Sequence, residues 1–265
     1  VDRTGKKGRA RRAVVSYDRV AQFYDLFGSK DDIDFFRDLA LSSGSRALEL
    51  GVGTARVAVE LARAGISVTG IDTSNDMLHQ AREKLLREPE EVRNRVHLVQ
   101  QDMRRMDLDA EYDFIYSPAG GFQGAWTQSE QIELLQRVNH HLAPNGKLAL
   151  AIWMPPSGID YGVIKTGKPA IREDGQEVVR SWVWRPAEEG NHLDIDIFYE
   201  VYQDSLLVEK YHVCGGMAMI SEGEMRLLLE RADFEIEEIS GDYHRSEYSP
   251  VSEWLVVVSH YKKEG

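Results

Sequence analysis

Residues 47–58 read ALELGVGTARVA. An apolar run carries Glu49, passes through a turn with Gly51 and Gly53, and reopens as a helix-forming run. Glycine accepts positive φ and lets a ligand lie against bare backbone, so a strand, glycine turn and helix in succession are shaped to hold something.

Outward from this turn the chain alternates. Residues 45–50, 67–72, 95–100, 112–117 and 147–153 have the composition of strands. Between them, 54–65, 74–88 and 127–142 carry helical periodicity, with Ser74 as an N-cap and APNG (143–146) as a closing turn. Such alternation predicts a doubly wound, mostly parallel α/β sheet (Rossmann-like), with ligands beyond the carboxyl ends of its strands.

Upstream, Tyr17, Val20, Ala21 and Tyr24 fall on one face of a helix expected over 16–28, and a second helix is expected over 30–44. After Trp153 the rhythm changes. Residues 177–184, 192–204 and 205–216 read as antiparallel strands, and in the middle one Leu193, Ile195, Ile197, Tyr199 and Val201 alternate with Asp194, Asp196 and Glu200. A helix at 222–234 and a C-terminal antiparallel hairpin, 235–240 and 253–262, complete seven strands of the main sheet. The expectation is one domain over 1–265, with an antiparallel β insertion near 176–216 and a flexible tail at 1–15.

The chain has 265 residues and a net charge of -12, from 44 acidic and 32 basic side chains. That balance repels phosphate backbones and argues against nucleic-acid binding. The basic stretch GKKGRARR (5–12) lacks apolar periodicity and reads as a solvated terminus. Cys214 is the only cysteine, which excludes an intrachain disulfide and suits a cytoplasmic protein. No apolar run approaches the roughly 18 residues of a membrane span, so no membrane partner is expected.

Asp72 ends the strand after the glycine turn, where an acid can take both hydroxyls of a ribose. Two nucleotide ligands suit this arrangement, a dinucleotide or S-adenosylmethionine. A dinucleotide turn wants a third glycine where this chain has Arg56. Glu49 beside the turn would repel a pyrophosphate and suits a ligand with an ammonium and a sulfonium. No set of histidines and acids has metal-ligand spacing, so no metal is expected.

The motifs LELGVGTA and GIDTSNDML resemble the first and second motifs of class I S-adenosylmethionine-dependent methyltransferases, and QQDMRRM (100–106) resembles their adenine-contacting segment. YDRVAQFYD is similar to the N-terminal helix of the small-molecule branch, which includes sugar and glycine N-methyltransferases. The resemblance implies an enzyme with S-adenosyl-L-methionine as donor and S-adenosyl-L-homocysteine as product. It implies that Glu49 holds the methionine amino group indirectly, that Gly51 and Gly53 pack on the methionine part, and that Asp72 binds the ribose. Asp102 would accept from the adenine amino group, the Met103 N–H would donate to the ring, Met77 would pack on the adenine, and Ser117 would lie near the sulfonium. Tyr17 and Tyr24 would fold over the donor. The chain departs from the pattern at Ala55, where the family often has glycine.

On the acceptor side, Phe122 and Trp126 follow the fourth strand, Trp153 ends the fifth, and Tyr243, His244 and Arg245 join the last two. These are the candidate substrate-binding walls, with His244 and then His212 as candidate bases and Tyr24 as a third catalytic candidate. His140 and His141 end a helix and suit its dipole instead. The expected reaction is in-line methyl transfer to a small-molecule acceptor, an amine ahead of an oxygen or carbon nucleophile. An NAD-type oxidoreductase and a non-catalytic adenosyl-ligand binder are the alternatives. The insertion either roofs the pocket or, through its exposed strand edges, supports a homodimer.

Overall fold

The computed structural model describes residues 17–156, 158–186 and 191–261. The tail at 1–15, including the basic stretch, lies outside them. The described chain opens with α1 (Ala21–Tyr24) and α2 (Ile33–Ser43). There follow β1 (Arg46–Leu50), α3 (Arg56–Arg63), β2 (Ser67–Asp72), α4 (Asn75–Leu86), α5 (Glu90–Arg93), β3 (Val96–Gln100), β4 (Tyr112–Ser117), α6 (Gln128–His141) and β5 (Leu142–Trp153). Two short strands, β6 (Lys165–Thr166) and β7 (Ala170–Ile171), precede β8 (Glu177–Pro186), β9 (His192–Gln203) and β10 (Leu206–Ala218). The chain closes with α7 (Glu222–Arg231), β11 (Phe234–Ser240) and β12 (Trp254–Tyr261).

The main sheet has seven strands in the order β11-β12-β5-β4-β1-β2-β3. Strands β1 to β5 run parallel, and β12 is antiparallel to both β5 and β11. The order reverses between β1 and β4, which sets a ligand crevice beyond their carboxyl ends. One face of the sheet packs on α2 and α3 through Phe36, Val57 and Leu61, the other on α6 and α7 through Leu134, Val138 and Leu228. Local chemistry fixes the helix starts. Ser74 Oγ accepts from Met77 N–H, and Thr127 and Glu130 form a reciprocal capping box.

The second sheet is antiparallel, in the order β10-β9-β8-β6, with β7 also paired to β8. It starts at Lys165, ahead of the insertion expected near 176–216. The alternating positions Leu193, Ile195, Ile197, Tyr199 and Val201 are all buried. Four of them, from Ile195 on, share a cluster with Val20 and Phe23 of the N-terminal segment. Phe23 stacks on Tyr199 at 5.3 Å between ring centroids. Asp196 breaks the alternation; it is buried against His212 and Arg185.

Two expectations are corrected. The helix over 16–28 is a single turn at Ala21–Tyr24, and Arg19 has φ +68° just before it. Burying Val20 and Phe23 in the second sheet replaces the amphipathic face that the spacing suggested. The APNG segment is a kink inside β5, with Asn145 at φ +66° and a register shift against β4.

Candidate functional site

The turn after β1 is tied down from behind. Gly51 and Val52 N–H both donate to the Ile71 carbonyl at 2.9 Å. A Cβ at Gly70 of β2 would stand 2.5 Å from the Val52 side chain, so a bare backbone there leaves room for the turn. Gly51 and Gly53 have φ of +74° and +53°, values that glycine adopts without a Cβ penalty. Ala55 follows at φ +58° and opens α3; a residue with a Cβ held there costs roughly 1–2 kcal/mol.

Over this turn lies a cavity of about 480 Å³. Its wall includes Glu49, Gly51, Gly53, Asp72, Met77, Met103, Tyr17 and Tyr24, so eight of the ten expected donor-side residues converge. Tyr17 and Tyr24 meet edge to face at 5.4 Å. Burial raises the pKa of both phenols, which stay protonated at neutral pH.

Glu49 is buried and accepts from the Tyr116 hydroxyl at 2.8 Å. Burial pushes its carboxyl up to about 8, against the opposing pull of the Tyr116 hydrogen bond and Arg56. A cation brought beside it favours the ionised form. Asp72 accepts from Gly53 N–H and Ser74 N–H, both at 2.8 Å, so it braces the turn while facing the cavity. Burial raises its pKa, and those backbone bonds oppose the rise. Arg56, in place of a third glycine, is held by Asp32 through two bonds of 2.5 and 2.6 Å.

The other two donor-side candidates are elsewhere. Asp102 does not reach the wall; its carboxylate accepts from Arg104 Nη2 at 2.7 Å and Nε at 3.0 Å, which holds it below the usual carboxylate range. Its neighbour Gln101 lines the cavity, and Gln101 Oε1 is buried with no hydrogen-bond partner among the described residues. Ser117 is tucked behind the wall and donates to the Leu50 carbonyl at 3.2 Å. The loop after it, Pro118 to Gly121, does the lining.

The acceptor-side candidates scatter. Phe122 is fully buried in the core under α6. Trp126 is half-buried against His192, whose Nε2 donates to the Trp126 carbonyl at 2.7 Å. Tyr243 packs among Phe35, Phe36 and Trp254. His244 is exposed and its N–H donates to Asp242. Arg245 pairs with Glu238 and covers the Phe35 ring. His212 is exposed on β10, stacked on Phe198 and paired with Asp196. Neither histidine lines the cavity, so neither is placed to act as a base. Trp153 stacks on Trp184 and borders a second cavity. His141 is buried, accepting from Leu108 N–H and donating to the Arg137 carbonyl, a structural role.

Sequence reasoning missed Asp18, Gln101, and Gly216 and Met217 from β10, all on the cavity wall. The antiparallel sheet therefore contributes to the roof. Asp18 accepts from Ser74 Oγ at 2.5 Å, and Asp25 accepts from Thr54 Oγ1 at 2.6 Å and pairs with Lys84. These bonds fasten the N-terminal segment across the turn.

S-adenosylmethionine fits this wall. Glu49 suits its positive end, and Asp72 keeps spare lone pairs for a diol. A Cβ at Gly51 would stand 3.7 Å from Met103 Cε, and one at Gly53 4.0 Å from Met77 Sδ, so the bare turn faces two polarizable thioether side chains, which pack well on a flat ring. Gln101 Oε1 supplies an acceptor that lacks a donor. Among the described residues no three metal-ligating side chains gather, and no helix is long and apolar enough to cross a membrane.

Residues 47–146 match the family model described as a methyltransferase domain. The chain is 23% identical over 245 residues to a putative methyltransferase of Bacillus subtilis, covering 90% of this chain and 94% of that one. It is 26% identical over 215 residues to the cypemycin N-terminal methyltransferase of a Streptomyces species, covering 81% and 82%. In fold it is similar to the CcbJ methyltransferase of Streptomyces caelestis, with a TM-score of 0.76 at 23% identity, over 92% of this chain and 96% of that one.

Proposed function

For this class I S-adenosylmethionine-dependent methyltransferase, we propose that the acceptor is a small-molecule amine, methylated on nitrogen by in-line displacement. Bound S-adenosylmethionine supplies a methyl group already activated on a sulfonium. Glu49, Asp72, Gln101 and the glycine turn hold the donor in this reading. Tyr17, Tyr24 and the roof from β10 exclude water and aim the incoming nitrogen. Positioning of this kind supplies up to roughly 7–11 kcal/mol of a barrier.

The observation that carries the choice of an amine is the Tyr17–Tyr24 pair beside Asp18 on the cavity wall. When a neutral amine is methylated, the positive charge moves from sulfur to nitrogen and stays in the cavity. Tyrosine faces attract a cation at either position. A protonated phenol also accepts a hydrogen bond from an amine N–H, which orients the nitrogen lone pair. A hydroxyl acceptor would need a base to take its proton, and the two histidines considered for that task face away. The cypemycin enzyme, by its name an N-terminal methyltransferase, supports the same choice.

The test is label transfer from methyl-labelled donor to matched pairs of small primary amines and alcohols. Labelled N-methyl product from the amines is expected. Label found only in the alcohols would overturn the reading.

A further inference from the structure

The second cavity, of about 630 Å³, lies between the end of β5 and the face of β8. Arg180, Trp182 and Trp184 share that face by the period of two of a strand, and all three border the space. Trp153 comes from the opposite side and stacks on Trp184, with 4.9 Å between ring centroids and 17° between planes. Met154, Ile159 and Val251 add apolar wall. The volume matches that of a site for a drug-sized molecule.

The charges there are matched. Lys165 is paired with Asp160 at 2.6 Å. The Arg180 guanidinium covers the Phe27 ring at 4.7 Å and the Trp182 ring at 5.5 Å. Glu253 adds a carboxylate at the rim. A phosphate or pyrophosphate would face two carboxylates and two cations already engaged. A flat, uncharged ring would meet three indoles.

The two cavities are neighbours. Gly120 lines the donor cavity, and a Cβ on it would stand 3.7 Å from the Cβ of Trp153, which lines the second, so the two cavities adjoin at this pair of residues. The Arg180 charge is felt by Tyr17, a residue of the donor cavity.

We propose that the second cavity is the acceptor's distal subsite, and that it takes a planar aromatic or fused-ring group from which the reacting amine extends past Gly120 and Tyr17 to the donor. This rests on the reading of methyl transfer to a small-molecule amine. It further specifies an aryl-bearing amine rather than a nucleotide-linked one.

The experiment uses the full chain with S-adenosylhomocysteine present. Binding of 2-(2-naphthyl)ethylamine is measured by calorimetry for the wild type, Trp182→Ala, Trp184→Ala and Trp184→Phe. Each alanine variant is expected to lose about tenfold in affinity for the naphthyl amine, and Trp184→Phe to recover most of it. Affinity for S-adenosylhomocysteine, unchanged in all four, reports that each variant is folded. Naphthyl amine affinity that is the same in wild type and both alanine variants would overturn the subsite. So would tighter binding of a nucleoside-diphosphate amino sugar than of the naphthyl amine. Methylation of 2-(2-naphthyl)ethanol in place of the amine, with the tryptophan dependence intact, would uphold the subsite and sink the amine reading alone.

Discussion

The side-chain amide of Gln123 clasps the backbone of Trp153: its Nε2 donates to the Trp153 carbonyl at 3.1 Å, and its Oε1 accepts from the Trp153 N–H at 2.8 Å. A further bond from Nε2 reaches the Ala218 carbonyl at 2.9 Å. One buried amide thus joins the end of β5 to the end of β10. Gln123→Leu leaves these backbone groups without partners, at a cost of about 1–3 kcal/mol for each that stays dry. Urea denaturation is expected to show that loss, together with weaker acceptor binding.

Asp72 both braces the turn and faces the cavity over it. Asp72→Ala is expected to weaken S-adenosylhomocysteine binding by about 1–3 kcal/mol, the scale of hydrogen bonds to a charged group. Calorimetry on the folded variant decides; an unchanged affinity would remove Asp72 from the site.

Glu49 makes stability depend on pH. Its carboxyl titrates near 8 in the folded protein and in the ordinary range, about 4.3, when unfolded. Between these values the folded state binds more protons, so stability falls as pH rises through that window. Glu49→Gln is expected to flatten this slope and to raise the melting temperature at pH about 8.5 relative to wild type more than at pH about 5. Donor binding should follow the opposite course in the wild type. Affinity for S-adenosylhomocysteine rises as Glu49 ionises, and Glu49→Gln removes the rise.

His244→Ala and His212→Ala are expected to leave turnover within about twofold of wild type, since both side chains are exposed and neither borders the donor cavity. A steady-state assay checks this. A large fall in kcat for either would put a base where the structure has none.

Tyr24→Phe keeps the aromatic face and loses the hydroxyl, whereas Tyr24→Ala loses both. If the ring stabilises the cation and the hydroxyl aims the amine, kcat falls in Tyr24→Phe, and in Tyr24→Ala donor affinity falls with it. The ring's contribution is about 0.5–2 kcal/mol. Single-turnover rates and S-adenosylhomocysteine titrations separate the two effects.

The main sheet was legible because its signals are local. The bounds of β2 and β4 match the sequence reading residue for residue, and Ser74 caps α4 as its position implies. Glu49, the glycine turn and Asp72 meet on one cavity wall because the topology brings the ends of β1 and β2 together. The misreadings have a common physical cause, which is competition for a side chain by partners distant in sequence or simply unseen. Asp102 looked free to meet a ligand, but Arg104 takes it, and the neighbouring Gln101 lines the cavity instead. Val20 looked like part of a helical stripe with Tyr17, Ala21 and Tyr24; it is instead, with Phe23, a plug for a sheet that begins over a hundred residues later. Trp182 and Trp184 did carry a readable signal, since aromatics two apart on a strand share a face.

Val20 and Phe23 lie in the same apolar cluster as Ile195, Ile197 and Val201. The cover of the donor cavity is therefore one folded unit stitched from two remote stretches of chain. Clipping the front of the protein would not simply uncover the donor; it would pull the filling out of the antiparallel sheet. Backbone amides of α1 and of β9 should exchange with deuterium together, at a rate set by the peeling of the whole cover.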